Sequence, residues 1–495
     1  MAAQSANLDT YTGNIAIDNL LSGSKWATTT LTYGFPTAAS SWTGYGGADT
    51  QHPYQGFSAV NDGQIAAIKA SLQAWANVTN LTFVEVSEPG TVADLRFANS
   101  SVPPTAEAYF PSNDPTGGDA WMGPQHQGTS WIPGTDNYST MPHEIGHALG
   151  LKHPHDTGGG GQLDPSLDSV ETSIMSYRSY LGASVSGGYV IAEGSYPSAP
   201  MMNDIAAIQQ LYGANYGYNA GNTTYTWSPA TAKVLETVWD GGGIDTYDLS
   251  AYTTSVSVSL VPGQWTTLSS SQLANLNNAD PSVVARGNVA NAYLHNGDTR
   301  SLIENATTGS GNDAIVGNDA DNVVFGGAGS DTAWGGNGND QLYGNFDSDV
   351  LYGEAGDDVL FGGQGGDLVF GSIGADQLYG NMMSDIVYGE AGDDSIFGGQ
   401  GNDQLFGGQG NDFIAGNLGD DTMTGGAGAD RFVANGNDAV ADFDFAEGDR
   451  LALSAGVTYA VSAASGGALV TFSTGATVTL TGVSATQVTA GWFTT

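Results

Sequence analysis

The chain has 495 residues, 51 of them acidic and 10 basic, for a formal charge of −41, and it contains no cysteine. That composition excludes a disulfide framework and a thiol nucleophile. The surface repels nucleic acid and anionic lipid and attracts divalent cations.

The length allows two or more domains, each with its own core. Residues 1–240 carry a net charge of −14 and residues 241–495 a net −27. The N-terminus has neither a basic region nor an apolar stretch, so it is not a Sec-type signal peptide. No segment approaches 18 consecutive apolar residues, so no transmembrane helix is expected.

Residues 1–24 are polar with an apolar patch at Ile15, Ile17, Leu20 and Leu21, readable as an N-terminal helix or a pro-segment. Residues 29–35 read as a strand and 42–57 as loop. Asn61 or Asp62 caps a helix to about Trp75, with Ile65, Ile68, Leu72 and Trp75 on its core face. Residues 81–86 and 93–98 read as strands joined by a Pro-Gly turn. Residues 117–121 form the last strand before the next helix. In this order it is the edge strand, where a peptide adds beside Ala120 and Trp121; core packing of Trp121 is an equal reading.

Residues 143–153 read His-Glu-Ile-Gly-His-Ala-Leu-Gly-Leu-Lys-His. On a helix, His143 and His147 project from one face, a spacing that suits two nitrogen ligands of one Zn²⁺, with Glu144 as general base. Gly150 can turn the chain left-handed, so that His153 becomes the third ligand. Three imidazoles leave one position open, as catalytic zinc requires. Residues 173–177, Ser-Ile-Met-Ser-Tyr, have the form of a methionine turn. Residues 201–212 are a helix capped by Asn203 or Asp204 and stopped by Gly213.

Beyond residue 214, strand-like runs such as 233–239 and 255–260 alternate with turns, and 240–248 resembles a degenerate repeat. Residues 308–433 then repeat every nine positions in 14 copies. The sixth position is Asp313, Asp331, Asp340, Asp349, Asp358, Asp367, Asp376, Asp385, Asp394, Asp403, Asp412, Asp421 and Asp430, with Asn322 the exception. The eighth is apolar throughout. This is the Gly-Gly-x-Gly-x-Asp-x-apolar-x calcium repeat of a parallel β-roll. Its carboxylates and turn carbonyls cage several Ca²⁺, and two repeats make one coil. Residues 434–495 are β-like and cap the roll.

Taken together, residues 143–153, the Ser-Ile-Met-Ser-Tyr turn, the run from Met202 to Gly213 and the repeats resemble the serralysins, secreted bacterial zinc endopeptidases of the metzincin group. The resemblance implies an α+β metzincin zinc-protease domain (25–240) behind an N-terminal segment (1–24). A calcium-binding β-roll with its β cap and secretion region (241–495) follows. It implies one catalytic Zn²⁺, Met175 beneath it, and Tyr177 as an extra ligand that releases to stabilise the oxyanion. It places calcium also near Asp240, Asp245 and Glu304. Protein or peptide substrates, a type I secretion apparatus as partner and an extracellular location are implied too.

Two departures stand out. Arg178 follows Tyr177 where serralysins often have Trp, and the chain ends Gly-Trp-Phe-Thr-Thr without the usual acidic and apolar terminus. A competing reading is a calcium-dependent surface or matrix protein whose N-terminal domain is vestigial, and a mixed one has the enzyme trimming surface or matrix proteins of its own cell. The complete His-Glu set speaks for the enzyme.

Overall fold

The computed structural model describes all residues except 1–2, 9–10, 40–41, 43–44, 46–54, 89, 129 and 495. Most of the expected 42–57 loop and Pro89 of the expected turn lie outside the described residues. The chain divides into two compact units. One comprises Met1–Gly221, Ala230–Gly243 and Pro262–Ser301, the other Asn222–Pro229, Ile244–Val261 and Leu302–Thr495. Residues 262–301, grouped with the roll in the sequence reading, therefore pack in the first unit.

The first unit opens with β1 (Ser5–Asn7), α1 (Ile15–Asp18) and β2 (Ser24–Trp26), with β1 and β2 paired antiparallel. Leu20 and Leu21 are fully buried in the core. Then come β3 (Thr30–Gly34), α2 (Asp62–Val78), β4 (Thr82–Glu85), β5 (Leu95–Asn99), β6 (Ala106–Ala108), β7 (Asp119–Met122), α3 (Asp136–Ala148) and α4 (Met202–Tyr212). α2 starts where a reciprocal cap forms: the Asn61 side chain accepts from Gln64 N–H, and the Gln64 side chain accepts from Asn61 N–H. Its buried face, Ile68, Leu72 and Trp75, joins Leu31, Leu95 and Phe97 from the sheet and Met141 and Ile145 from α3 in one core. Residues 236–238, 265–266 and 289–291 add a small separate sheet.

The main sheet has the order β4-β3-β5-β7-β6, and only β6 runs antiparallel to its neighbour. This corrects the expectation for Ala120 and Trp121. β7 is an inner strand, and the edge belongs to β6, whose Ala106 pairs with Met122 and Ala108 with Ala120. The chain doubles back tightly after β5: a Cβ on Gly123 would lie 2.0 Å from the Pro103 carbonyl oxygen, so only glycine lets 103–105 close over β7. Trp121 is fully buried, its ring tilted against that of Trp42 at 4.1 Å, and its indole N–H donates to the Tyr45 hydroxyl.

In the second unit, strands between Asn305 and Val433 pair parallel with register i to i+18, so two nonapeptides make one coil. Odd and even repeats alternate between two opposed sheets, which strands before and after the repeats extend to 12 strands each. The eighth-position side chains, among them Leu342, Leu360 and Leu378, fill the space between them and are fully buried. Ninth-position rings stack outside: Tyr343, Phe361 and Tyr379 lie 4.7–5.0 Å apart and nearly parallel. The roll starts before the regular repeats, since Thr246–Asp248 pairs with Asn305–Thr307. Asn437–Val440 pairs with Thr477–Thr481, which joins an antiparallel hairpin at the far end.

Candidate metal centre

α3 presents His143 and His147 from its buried face, one turn apart. It ends at Ala148, and Gly150 turns the chain at φ +110°; a Cβ there would meet the Ser24 carbonyl oxygen at 2.4 Å. The turn is held by Leu151 N–H donating to Gly146 O (2.9 Å) and Lys152 N–H donating to Leu20 O (2.8 Å). It returns His153 to the helix, with Nε2 3.0 Å from Nε2 of His147 and 3.3 Å from Nε2 of His143.

The other nitrogen of each ring is committed. Nδ1 of His143 lies 2.8 Å from Ile174 O, Nδ1 of His147 2.7 Å from Leu151 O, and Nδ1 of His153 3.0 Å from a carboxylate oxygen of Asp156. These partners are acceptors, so each Nδ1 carries the proton and each Nε2 is a bare lone pair. Three lone pairs aimed at one point repel unless a cation sits between them. Nitrogens bound at about 2.0–2.1 Å to one tetrahedral Zn²⁺ are spaced much like these, so the donor set fits that ion. Burial and mutual repulsion hold His143 down to about 3 and His147 well below the usual range, keeping them neutral as ligands must be.

The Ile174 carbonyl is itself held in place. Asp204 in the first turn of α4 is fully buried; it accepts from Ser173 Oγ and from Ile174 N–H, both at 2.6 Å, and from Met201 N–H at 2.9 Å. Asp204 thus ties the 173–175 turn to α4, and the turn's carbonyl orients His143. The N-cap of α4 is Met201, not Asn203 or Asp204 as the residue types suggested. Met175 is fully buried, and a Cβ on Gly146 would lie 2.5 Å from its sulfur, so glycine is needed where α3 crosses the turn.

Glu144 is buried and its Oε2 has no hydrogen-bond partner. Burial, with the nearby Glu107, raises its carboxyl to about 8. Tyr177 packs its ring 5.7 Å from His143 and 4.2 Å from His153, and burial pushes its hydroxyl up to about 12. Glu144, His143 and Tyr177 open onto a cavity of about 360 Å³ that also touches Ala106 of β6.

Four contributors carry no site signal in the sequence: Asp156, Asp204 (legible there only as a helix cap), Gly146 and Lys152. The Lys152 ammonium is buried and donates to four carbonyl oxygens, of Asn19, His153, Asp156 and Gly161, at 2.6–3.2 Å; burial lowers it to about 8. It pins the N-terminal segment and the 156–161 loop to the turn carrying His153. Only a buried lysine beside a ligand could have hinted at this.

In the roll, one carboxylate oxygen of each repeat aspartate accepts the N–H of the residue one coil earlier, as Asp349 does from Asp331 at 2.8 Å. The other oxygen, from Asp331 through Asp430, is buried with no hydrogen-bond donor. At Gly344 the Asp349 Oδ2 and the Gly362 carbonyl oxygen both come within 2.5 Å of where a Cβ would be, and neighbouring turns repeat this. Rows of donor-free carboxylate and carbonyl oxygens suit a hard divalent cation such as Ca²⁺. Asp313 lies at the first coil and accepts from Val256 N–H. Asn322 differs: its amide donates to Glu304 O (2.7 Å) and Asn318 Oδ1 (3.1 Å), so a donor stands where the other repeats place a bare carboxylate oxygen. Asp245 N–H donates to Glu304 Oε2 at 2.7 Å, whereas Asp240 lies in the first unit and accepts from Gly242 N–H.

A histidine-rich metal centre on a mixed sheet and a nonapeptide roll define a metallopeptidase-like chain with calcium repeats. Family models agree: residues 58–159 match Matrixin, 203–369 match the Peptidase M10 serralysin C terminal, and 379–414 and 406–440 match the RTX calcium-binding nonapeptide repeat. In the domains these models match, the chain is similar to the serralysins. Similar proteins include Metallopeptidase AprA of Pseudomonas marginalis, 37% identical over 59% of this chain and 61% of that protein. Metalloprotease AprA of Pseudomonas entomophila is 35% identical over 63% and 65%. Serralysin of Photorhabdus laumondii is 37% identical over 54% and 55%. The chain thus spans less than two thirds of the length of these curated relatives.

Proposed function

We propose that the protein is a calcium-stabilised zinc endopeptidase, exported by a type I apparatus, that hydrolyses peptide bonds of extracellular proteins. The observation that carries this is the convergence of three Nε2 lone pairs, with every Nδ1 already committed, beside the partnerless Oε2 of Glu144. His143, His147 and His153 would hold the ion. Bound there, zinc supplies Lewis acidity, polarising the scissile carbonyl and lowering the pKa of water. Glu144 Oε2 takes the proton of the attacking water and returns it to the departing amine nitrogen. The Tyr177 hydroxyl donates to the oxygen on which charge develops. Met175 and Asp204 hold the floor and the first ligand.

Relatives that carry protease names support this reading. No helix among the described residues is long and apolar enough to cross a membrane. Extracellular calcium modules bind at about 10⁻⁴–10⁻³ M, so the roll stays unfolded in the cytosol and folds outside, where binding supplies folding free energy.

The test is casein hydrolysis by the full chain in millimolar calcium, with and without a zinc-selective chelator. Activity lost to the chelator and restored by zinc is expected. Glu144→Gln should keep zinc and fold while turnover drops about 10²–10⁴-fold. Zinc bound, roll folded and no hydrolysis of any protein would overturn the peptidase reading in favour of a calcium-dependent surface protein.

A further inference from the structure

The cavity beside Glu144 has a shape and a charge that the peptidase reading leaves unused. One wall is α3 itself, where Asp136, Ser139, Thr140 and His143 recur at helical spacing. The facing wall is a run of rings. Tyr177 meets Tyr189 edge to face at 6.2 Å, and Tyr189 meets Tyr196 the same way at 5.9 Å. Tyr189 is fixed by its hydroxyl, which donates to Ser176 O at 2.7 Å. The slot therefore leads from the metal centre toward the N-terminal end of α3, where Asp136 stands. Asp136 is seven positions before His143, about 10 Å along the helix axis.

The carboxylates in this slot outnumber its basic groups. Asp136 and Glu144 line it, Glu107 acts on Glu144, and no Lys or Arg is among the lining residues; His126, which also lines it, favours the ionised form of Asp136. No described hydrogen bond or ion pair neutralises the Asp136 carboxylate. The positive end of α3 would favour an anion, but Asp136 in the first turn already answers it. Ring walls accept an aliphatic stem along their length, and tyrosine faces attract a cation at its end. Glutamate or aspartate entering the slot would meet Asp136 and be repelled. A leucine would stop short of it.

Resting on the peptidase reading, we infer that this slot selects a basic side chain, Lys or Arg, next to the scissile bond, with Asp136 as the specificity-determining carboxylate. Burial raises the Asp136 carboxyl, and an arriving cation would return it to the ionised form.

The test maps cleavage sites of the zinc- and calcium-loaded full chain on a peptide mixture by mass spectrometry, then measures kcat/KM on matched peptides. Lys and Arg should be enriched at one position flanking the cleaved bond, with Lys preferred over Leu by about tenfold. In Asp136→Asn that ratio should collapse toward unity, and in Asp136→Lys the preference should invert toward Glu. Zinc content and circular dichroism establish that each variant is folded, and the conservative Asn variant suffices if the Lys variant is not. Cleavage with no basic enrichment, or enrichment unchanged in Asp136→Asn, overturns the inference while leaving the peptidase standing. No cleavage of any peptide overturns both.

Discussion

The metal centre of the first unit and the calcium rows of the second both aim buried lone pairs at a point with no donor, yet they hold those atoms by different means. Around His143 the supports come from distant parts of the chain: Ile174, Asp204 on α4, and Gly146 against Met175. A large apolar core surrounds them. In the roll each aspartate is supported by the coil next to it, and the core is one side chain wide per strand. On the proposed reading, the difference teaches that the histidines would be organised before zinc arrives, whereas the roll aspartates would keep their places only with calcium between the coils. A row of buried carboxylates without cations repels itself, and little apolar burial offsets that repulsion.

The strongest way to break this comparison is to withdraw calcium. In excess chelator the β-signal of the roll in circular dichroism should vanish and return on adding millimolar calcium. A roll already complete in chelator would mean its packing alone suffices.

Next in size is a cut in the zinc centre's supports. Asp204→Asn removes the carboxylate that orients the Ile174 peptide, and zinc affinity by competition with a chromophoric chelator should fall about 10–100-fold. An unchanged affinity would show that His143 needs no such scaffold.

The smallest effect sharpens the contrast. Burial raises the repeat carboxyls above the ordinary 3.8, to about 6 at Asp367 and to about 8 at Asp349 and Asp385. Between those limits the folded roll binds more protons than the unfolded chain, so without calcium its stability falls as pH rises and recovers as pH falls. Circular dichroism in chelator should therefore show partial order gained on going from about pH 8 to about pH 5. The calcium midpoint should shift the opposite way, to higher calcium at lower pH, because the cation requires ionised carboxylates. A midpoint that did not move would exclude the buried aspartates as its ligands.

How much of this was legible follows from the range over which each contact acts. The roll could be read because each repeat packs on copies of itself, so a period of nine encodes partner, register and core together. His143 and His147 could be read because one helix turn joins them. The edge of the main sheet could not: Ala106–Ala108 carries no strand signal and is recruited only because 103–105 fold over Gly123. Asp204 was legible as a helix-start residue, but its burial under the 173–175 turn is a tertiary fact. The assignment of 262–301 to the first unit rests likewise on Val289–Asn291 finding Glu236–Val238, a pairing with no local signature.

The register of the roll carries one more consequence. Because partners within the regular repeats are eighteen residues apart, successive nonapeptides alternate between the two sheets. A duplication or loss of eighteen residues leaves every later strand on its own face, including Asn437–Val440, where the terminal hairpin docks. A change of nine sends that hairpin to the opposite face. The length of this protein is thus free to drift in whole coils, and half a coil acts as a frameshift written in three dimensions.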